Sequence, residues 1–263
     1  MRIARFVSDD QPQYGVIGFE GDEEIVAPLV ADPMVGPFHL TGQKLPLADV
    51  RLLAPVLPRS KVVAVGRNYA EHAAELGNEV PAEPLLFLKP NTSVIGPGEA
   101  IVHPRQSSDV QYEGELAVVI GRVAKDITAD RFADVVFGYT VANDVTARDL
   151  QRADVQFTRA KGFDTFCPLG PWIETDLDPS DLAVRTVLDG RVVQDGRTAQ
   201  MIHGVPALVA FVTSVMTLLP GDVLLTGTPA GVGTMRAGSE VSVEVEGIGV
   251  LTNRVVDVED DKD

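Results

Sequence analysis

Short apolar runs separated by turn residues dominate the chain and predict a protein built mainly of β-strands. The first third alternates the runs RIARFV, YGVIGFE and EEIVAPL with Gly, Pro and acidic residues, which is typical of short strands joined by turns. Seven further runs follow with the same character: KVVAVG, LLFLKP, GELAVVIG, VVFGYTVAND, AVRTVLDG, DVLLTGTP and SEVSVEVEG. Because no regular helical crossovers separate them, the pattern predicts an α+β fold with a mainly β core.

Helical spacing is confined to three segments, YAEHAAELG (69–77), TARDLQRADVQFTRAKG (146–162) and VPALVAFVTSVMTLLPG (205–221). In the third segment Pro206 stands near the start and Gly221 follows the end, as expected for a helix. Seven of its apolar residues share one broad stripe that predicts packing against the core, namely Val205, Leu208, Val209, Val212, Val215, Met216 and Leu219.

The 263 residues suffice for one large domain, or for a small region joined to a larger domain. The segment LLAPVLPRSK, Leu52 to Lys61, contains two prolines and a basic pair, and we interpret it as the join. The sequence therefore predicts a small N-terminal region over residues 1–58 and a catalytic domain over residues 59–263.

Composition narrows the classes of function. The formal net charge is −16, and an acidic run, VEDDKD (258–263), ends the chain. Such a surface repels phosphate backbones, so we expect no nucleic acid partner. Cys167 is the one cysteine, in apolar surroundings that favour a buried, inert thiol. A reducing, cytoplasmic location is expected, since the N-terminus lacks a signal-peptide core and no run reaches the roughly 18 apolar residues of a membrane span.

Three carboxylates at strand ends form a candidate cation site. The run YEGELAVVIG (112–121) predicts a strand whose alternation puts Glu113 and Glu115 on one face, with Cα atoms roughly 6.5 Å apart. Two carboxylates at that spacing repel by roughly 2–3 kcal/mol, so a positive group is expected between them. Asp144 ends the strand-like VVFGYTVAND. Together they suit a hard cation such as Mg²⁺ or Mn²⁺; alternatively, the glutamates face water and Asp144 caps the next helix.

Several polar residues have both a functional and an ordinary interpretation. His72 and Glu75 share a helix face, either as a general base with its orienting carboxylate or as the polar side of an amphipathic turn. Lys161 is either a substrate-binding cation or a solvated lysine. Arg148 either binds substrate or neutralises a neighbouring aspartate. The turn TGTPAGVG (226–233) offers N–H groups to an anion, or is a plain glycine turn.

The order of six motifs resembles the fumarylacetoacetate hydrolase family. These motifs are VGRNYAEHAAELG, LLFLKP, YEGELAVVIG, NDVTARDLQ, KGFDTFCPLGPW and LLTGTPAGVG. The resemblance covers Lys61 to the C-terminus and points to the small-enzyme branch of acylpyruvate hydrolases, oxaloacetate decarboxylases and 2-hydroxyhepta-2,4-diene-1,7-dioate isomerases. It implies a mixed β-roll or sandwich with a few flanking helices, commonly as a homodimer.

The resemblance also implies roles for individual residues. The metal ligands, for Mg²⁺ or Mn²⁺, would be Glu113, Glu115 and Asp144. The catalytic residues would be His72 and Glu75, carried on a lid that orders when substrate binds, and Lys161. The substrate-binding residues would be Arg148, Gln151 and Thr228. Gln111 stands where many relatives have an acidic residue, which we expect to change only the surroundings of the ligands.

These residues predict an enzyme that cleaves the carbon–carbon bond beside the keto group of a small 2-oxo acid, as a hydrolase or a decarboxylase. The bound cation would stabilise the enolate, and His72 held by Glu75 would activate water. The alternative is an isomerase or tautomerase of an unsaturated 2-hydroxy or 2-oxo diacid. A catalytically silent metal-binding module is a further alternative.

Overall fold

A computed structural model of the protein describes residues 1–258. Of the predicted acidic run at the C-terminus, all but Val258 lies outside the described residues. The described chain consists mostly of β-sheet with few helices, which confirms the predicted α+β, mainly β fold. Within residues 1–258, none of the helices has the length and apolar character needed to cross a membrane.

The strands up to the first helix-rich segment are β1 (Arg2–Ser8), β2 (Gln11–Glu20), β3 (Glu23–Pro28), β4 (Leu45–Pro46), β5 (Arg51–Leu52), β6 (Val62–Gly66), β7 (Leu85–Lys89), β8 (Val94–Ile95), β9 (Ala100–His103), β10 (Val110–Tyr112), β11 (Gly114–Ile120), β12 (Val136–Asn143) and β13 (Thr146–Ala147). The later strands are β14 (Cys167–Glu174), β15 (Ala183–Leu188), β16 (Arg191–Arg197), β17 (Val223–Leu225), β18 (Gly233–Thr234), β19 (Glu240–Val245) and β20 (Gly249–Asp257).

The α-helices of the described chain are α1 (Ala70–Glu75), α2 (Arg148–Asp154), α3 (Thr158–Lys161) and α4 (Val205–Val215). Short 3₁₀ helices cover Leu47–Asp49, Asn91–Ser93, Ala129–Asp134 and Thr198–Gln200.

The strands form three sheets. The largest has the order β4-β3-β2-β1-β14-β12-β11-β17-β6-β7, with β5 paired to β1 and β8 paired to β14. A three-stranded sheet has the order β13-β10-β18, and a five-stranded sheet has the order β16-β15-β19-β20-β9. The predicted N-terminal strands form an antiparallel meander, and β1 pairs with β14, so residues 1–58 extend the large sheet.

Strand β11 lies at the centre of the core and is buried along its whole length. Leu116, Val118 and Ile120 pack in the same apolar cluster as the buried face of α4, while Ala117 and Val119 pack in the cluster on the opposite side. Burial on both faces explains why this run is continuously apolar. It also fixes the start of β11, where the acidic residues lie, against a rigid support.

Two predicted elements are interrupted in the structure. The single strand predicted over residues 112–121 is wrong, because β10 and β11 belong to different sheets and Glu113 lies between them. The Glu113 N–H donates to Asn143 Oδ1 (2.9 Å). The helix predicted over residues 146–162 is also wrong as one element, since it divides into α2 and α3 at Val155, whose φ of 63° is left-handed.

Helix α4 is shorter than its apolar stripe predicts. Its first four stripe residues, Val205, Leu208, Val209 and Val212, are buried as predicted. Val215, the last residue of the helix, and Leu219 are instead 57% and 37% exposed. Beyond Val215 helical spacing no longer orients the residues of the stripe. The predicted burial of Cys167 is confirmed, and burial raises the pKa of its thiol to about 12.

Candidate active site

The three predicted carboxylates come together at the junction of β11 and β12. These strands are antiparallel with Gly114 opposite Asn143, so the start of one lies beside the end of the other. The Asp144 N–H donates to the Glu113 carbonyl oxygen (2.8 Å). One carboxylate oxygen from each of Glu113, Glu115 and Asp144 lies within 4.8 Å of the others, and all three side chains are buried. This confirms that the three residues form one oxygen-rich cluster.

Three buried cationic side chains surround this carboxylate cluster. Lys161 Nζ lies 2.7 Å from Glu113 Oε2 and 2.6 Å from Asp144 Oδ2, so it bridges these two residues and not the two glutamates. Lys89 Nζ donates to Asp144 Oδ1 (2.6 Å), and Arg148 pairs with Glu113. Although burial raises the pKa of Glu113, Lys161 and Arg148 outweigh it and hold that pKa below the ordinary value. Glu113 is therefore stabilised as an anion, and Asp144 is paired with two lysines.

Glu115 is the member of the cluster that forms no ion pair with these cations within residues 1–258. Its one side-chain hydrogen bond among the described residues comes from the Gly227 N–H (2.7 Å). Burial first, and then the charges of Asp144 and Glu113, raise the pKa of Glu115 well above its ordinary value. A divalent cation would remove this destabilisation, and three oxygen donors suit Mg²⁺ or Mn²⁺. The cluster thus fits the predicted metal.

His72 lies in α1, and its side chain is buried, with Nδ1 3.5 Å from Glu75 Oε2. Nδ1 makes no hydrogen bond within residues 1–258. Burial lowers the pKa of His72; Glu113 and Glu75 oppose this effect, whereas Arg148 and Lys161 add to it. The imidazole is therefore neutral at neutral pH and has the protonation state of a general base.

The glycine-rich turn over residues 226–233 binds protein carboxylates through its backbone. The Gly231 N–H faces both Glu75 carboxylate oxygens (3.2 and 3.1 Å), as the Gly227 N–H faces Glu115. Gly227 has φ of 99°, and a Cβ there would lie 2.8 Å from Asn68 Cβ, so glycine is required. The turn therefore holds both the carboxylate cluster and the partner of His72.

The predicted substrate-binding residues lie beside the cluster. Arg148 donates from Nε to Gln111 Oε1 (2.9 Å) and from a terminal nitrogen to Gln151 Oε1 (2.5 Å). The Thr228 hydroxyl donates to the Gly114 carbonyl (2.9 Å) and accepts from Gln194 Nε2 (2.8 Å). Arg148 and Thr228 thus also support the fold of the site.

One cavity of about 450 Å³ contains nearly all of these residues. Its wall includes His72, Glu75, Glu113, Glu115, Arg148, Gln151, Lys161 and Thr228, together with Arg67, Leu76, Phe87, Val155 and Phe157. Asp144 lies behind this wall, within the carboxylate cluster. The volume is that of a small-molecule site.

Sequence reasoning missed Lys89 and Gln194. Lys89 ends the apolar strand run LLFLKP, and a charge that terminates a buried strand was a signal for an ion pair. Gln194 has no such signal, since it lies in the polar, alternating β16. Only the fold brings its amide to Thr228 and to the Gly114 N–H.

A carboxylate cluster suited to a cation, next to a buried histidine in the same cavity, is the arrangement expected of an active site for metal-assisted acid–base chemistry. Residues 61–256 match the family described as fumarylacetoacetate (FAA) hydrolase C-terminal, and residues 1–55 match the one described as Rv2993c-like, N-terminal. The chain belongs to the fumarylacetoacetate hydrolase family, in its small-enzyme branch, which confirms the resemblance seen in the sequence.

Among the similar proteins, three have names that indicate tautomerase, isomerase and hydrolase activity. The human mitochondrial oxaloacetate tautomerase FAHD2A is 46% identical over 224 residues, which are 81% of this chain and 71% of that protein. The structure of 5-carboxymethyl-2-hydroxymuconate delta-isomerase from Mycobacterium smegmatis is 52% identical, with a TM-score of 0.91 over 98% of this chain and 100% of that one. Maleylpyruvate hydrolase from Sphingobium sp. SYK-6, in complex with manganese (II) ion and pyruvate, is 31% identical, with a TM-score of 0.79 over 98% and 99% of the two chains.

Proposed function

We propose that this protein is a divalent-metal-dependent enzyme that moves the proton beside the keto group of a small 2-oxo acid, as a tautomerase or isomerase. The observation that carries the proposal is the placement of a neutral, buried His72 in the cavity that also exposes Glu113 and Glu115. A base and a cation site in one cavity are the two requirements for forming an enolate.

Glu113, Glu115 and Asp144 would hold Mg²⁺ or Mn²⁺, in accord with the manganese named in the hydrolase structure. When bound, the ion supplies Lewis-acid stabilisation of the negative charge that develops on the keto oxygen. Lys89 and Lys161 fix the two carboxylate groups of Asp144 and Glu113 in position, so the ligands need little rearrangement.

His72 would remove the proton from the carbon beside the keto group, and the enolate would then be protonated on its oxygen in a tautomerisation or on a conjugated carbon in an isomerisation. In the enol-to-keto direction the enol hydroxyl would give up its proton, and protonated His72 would deliver a proton to the carbon, which regenerates the neutral imidazole. Glu75 lies beside Nδ1 and would stabilise the imidazolium that forms in between. Because the Gly231 N–H holds the Glu75 carboxylate, the turn would orient the pair for proton transfer.

The substrate carboxylate would meet the cationic side of the cavity. Lys161 and Arg148 supply positive charge there, and the Gln151 amide nitrogen has no partner among residues 1–258 and is available as a donor. Thr228, whose hydroxyl is held by Gly114 and Gln194, would shape the opposite wall.

Cleavage of the bond beside the keto group, as a hydrolase or decarboxylase, is the second candidate. It shares the enolate, and the neighbour named as a maleylpyruvate hydrolase supports it. The proteins named as a tautomerase and an isomerase are more similar to this chain, at 46% and 52% identity against 31%. This higher similarity favours proton transfer without cleavage as the reaction of this protein.

The test follows oxaloacetate with and without Mn²⁺ in two ways, by the absorbance of its enol form and by the pyruvate released. We expect Mn²⁺-loaded protein to accelerate enol–keto conversion without producing pyruvate faster than Mn²⁺ alone. Faster pyruvate release would favour the cleavage reaction. If the Mn²⁺-loaded protein changes neither rate relative to its His72→Asn variant, the proposed activity is wrong for this acid.

A further inference from the structure

Arg67 is a half-buried arginine in the cavity wall whose side chain makes no hydrogen bond or ion pair with any of residues 1–258. The other cavity cations differ from it. Lys161 and Arg148 are paired with carboxylates of the cluster, and Arg152, at the exposed rim, has its nearest carboxylate oxygen 3.9 Å away on Asp109. A partly desolvated guanidinium without an anion is unfavourable unless a ligand supplies one.

The backbone at Arg67 is held in a left-handed conformation, with φ of 59°. That conformation is unfavourable for a residue with a side chain. It is imposed by the next residue, Asn68, whose side chain donates to the carbonyl oxygens of His203 (3.0 Å) and Thr226 (2.7 Å) and accepts from the His203 N–H (2.9 Å). The backbone at Arg67 is thus a fixed part of the wall.

The same anchor links Arg67 to the carboxylate cluster. Asn68 packs so closely on Gly227 that no side chain fits at that glycine, and the Gly227 N–H holds the Glu115 carboxylate. The distance between the Arg67 loop and the cation site is therefore set by rigid contacts between β6 and β17, which pair in parallel.

The formal charges of the site indicate what kind of anion fits. Apart from the rim pair of Arg152 with Asp109, four carboxylates and four cationic side chains balance at the site. The carboxylates are Glu75, Glu113, Glu115 and Asp144, and the cations are Arg67, Lys89, Arg148 and Lys161. A divalent cation would leave an excess of two positive charges. A monocarboxylate would neutralise one of them and a dicarboxylate both, and uncompensated charge is costly in a buried site.

We propose that Arg67 is a specificity-determining residue that binds the second carboxylate of a dicarboxylic 2-oxo acid. This role rests on the proposed function, since it assumes that the keto and first carboxylate groups occupy the cation site. A bidentate pair with a guanidinium discriminates strongly between a carboxylate and a methyl group at the far end of the substrate.

The test compares acids of equal length that differ only in the second carboxylate. These are oxaloacetate with 2-oxobutanoate, and 2-oxoglutarate with 2-oxopentanoate, titrated by calorimetry into Mn²⁺-loaded protein. We expect wild type to bind at least one dicarboxylate about tenfold or more tighter than its monocarboxylate partner. Arg67→Gln should lose this preference and keep monocarboxylate affinity within about twofold, whereas Arg67→Lys should keep part of it.

Arg159→Gln is the matched control, because Arg159 lies on the nearby α3 but pairs with Asp154 outside the cavity. It should retain the wild-type preference, and thermal unfolding should show that all variants are folded. Three results would overturn the role of Arg67 but leave the proposed function standing. They are a dicarboxylate preference that survives Arg67→Gln, an equal weakening of both acids in that variant, and a wild type without the preference. A wild type that binds none of the four acids would overturn the proposed function as well.

Discussion

Glu115 is the residue on which cation binding depends most, because the neighbouring lysines and Arg148 compensate the other two carboxylates. Glu115→Gln keeps the size and the hydrogen bond from the Gly227 N–H but removes the charge. We expect it to weaken Mn²⁺ binding by at least about 100-fold in a calorimetric titration. Glu71→Gln, an exposed change on α1, should bind Mn²⁺ as wild type does. Unchanged affinity in Glu115→Gln would exclude this cluster as the metal site.

The raised pKa of Glu115 predicts a pH dependence of metal binding. A proton on Glu115 competes with the cation, so affinity rises with pH until the carboxyl group is fully ionised. Because that pKa lies above the ordinary carboxylate value, the rise should extend to higher pH than a solvated glutamate would give. Mn²⁺ titrations between about pH 5 and 8 measure it. An affinity that is flat over this range would show that Glu115 is already ionised.

The sequence predicts the position of some site residues in the fold but not of others. Glu113, Glu115 and Asp144 were identifiable because acidic residues interrupt two apolar strand runs at their ends. Lys89 was not assigned to the cluster, since its contact with Asp144 depends on β7 pairing with β6 at the edge of a sheet whose order is not written in local spacing. Arg67 likewise has an ordinary surrounding sequence, and its isolation from other charges is visible only in the fold.

At the scale of elements, the junction of α2 and α3 is a strained turn. Val155 has φ of 63° and ψ of −42°, and the Gln156 N–H donates to the Asp154 carbonyl (2.6 Å) across it. Such a γ-turn is rare for residues with a Cβ. Val155 is 82% exposed, so packing of its side chain contributes little free energy to offset the strain.

We therefore expect Val155→Gly to raise the free energy of unfolding by about 1 kcal/mol, since relief of strain exceeds the entropy that glycine adds to the unfolded chain. Denaturant unfolding measures the change. Val155→Ala is the control, because it removes the same branched side chain but keeps the Cβ, and it should gain less. A Val155→Gly protein less stable than wild type would contradict the assignment of strain.

Element boundaries were predictable where one pattern controls a segment and not where contacts between segments do. The meander β1 to β3 follows from alternation and turn residues alone. The break between β10 and β11 at Glu113 depends instead on distant contacts. The Glu113 N–H donates to the Asn143 side chain, and the Glu113 carboxylate pairs with Lys161 and Arg148. These partners lie 30 to 48 residues away, and no local rule places them.

At the scale of the whole molecule, the N-terminal region and the remainder share one sheet through β1 and β14. Ile3 and Phe6 of β1 are fully buried in the two clusters on that side. A proline-rich join suggested two regions from the sequence. Pairing between residues so distant in the chain cannot be read from composition, which is why the predicted boundary carried no information on how the regions meet.

We propose that the protein is a homodimer, as the resemblance to its family implies. Several large apolar side chains of the segment after β3 are exposed, including Val30, Val35, Phe38 and Leu40, and a partner subunit would remove such surface from water. Light scattering after size-exclusion chromatography should give twice the 28.1 kDa of the chain. A mass of one chain at micromolar concentration would contradict the dimer.

The central claim is that His72 forms an enolate of a 2-oxo acid held at a divalent cation in this cavity. The most direct test is the exchange of pyruvate methyl protons for deuterium, followed by proton NMR with Mg²⁺, because it reports proton removal whatever the later reaction. We predict exchange that EDTA abolishes and that His72→Asn slows by about 10² to 10⁴-fold while cation affinity stays unchanged. Exchange that survives EDTA or the loss of His72, or no exchange by the Mg²⁺-loaded wild type, would contradict the account.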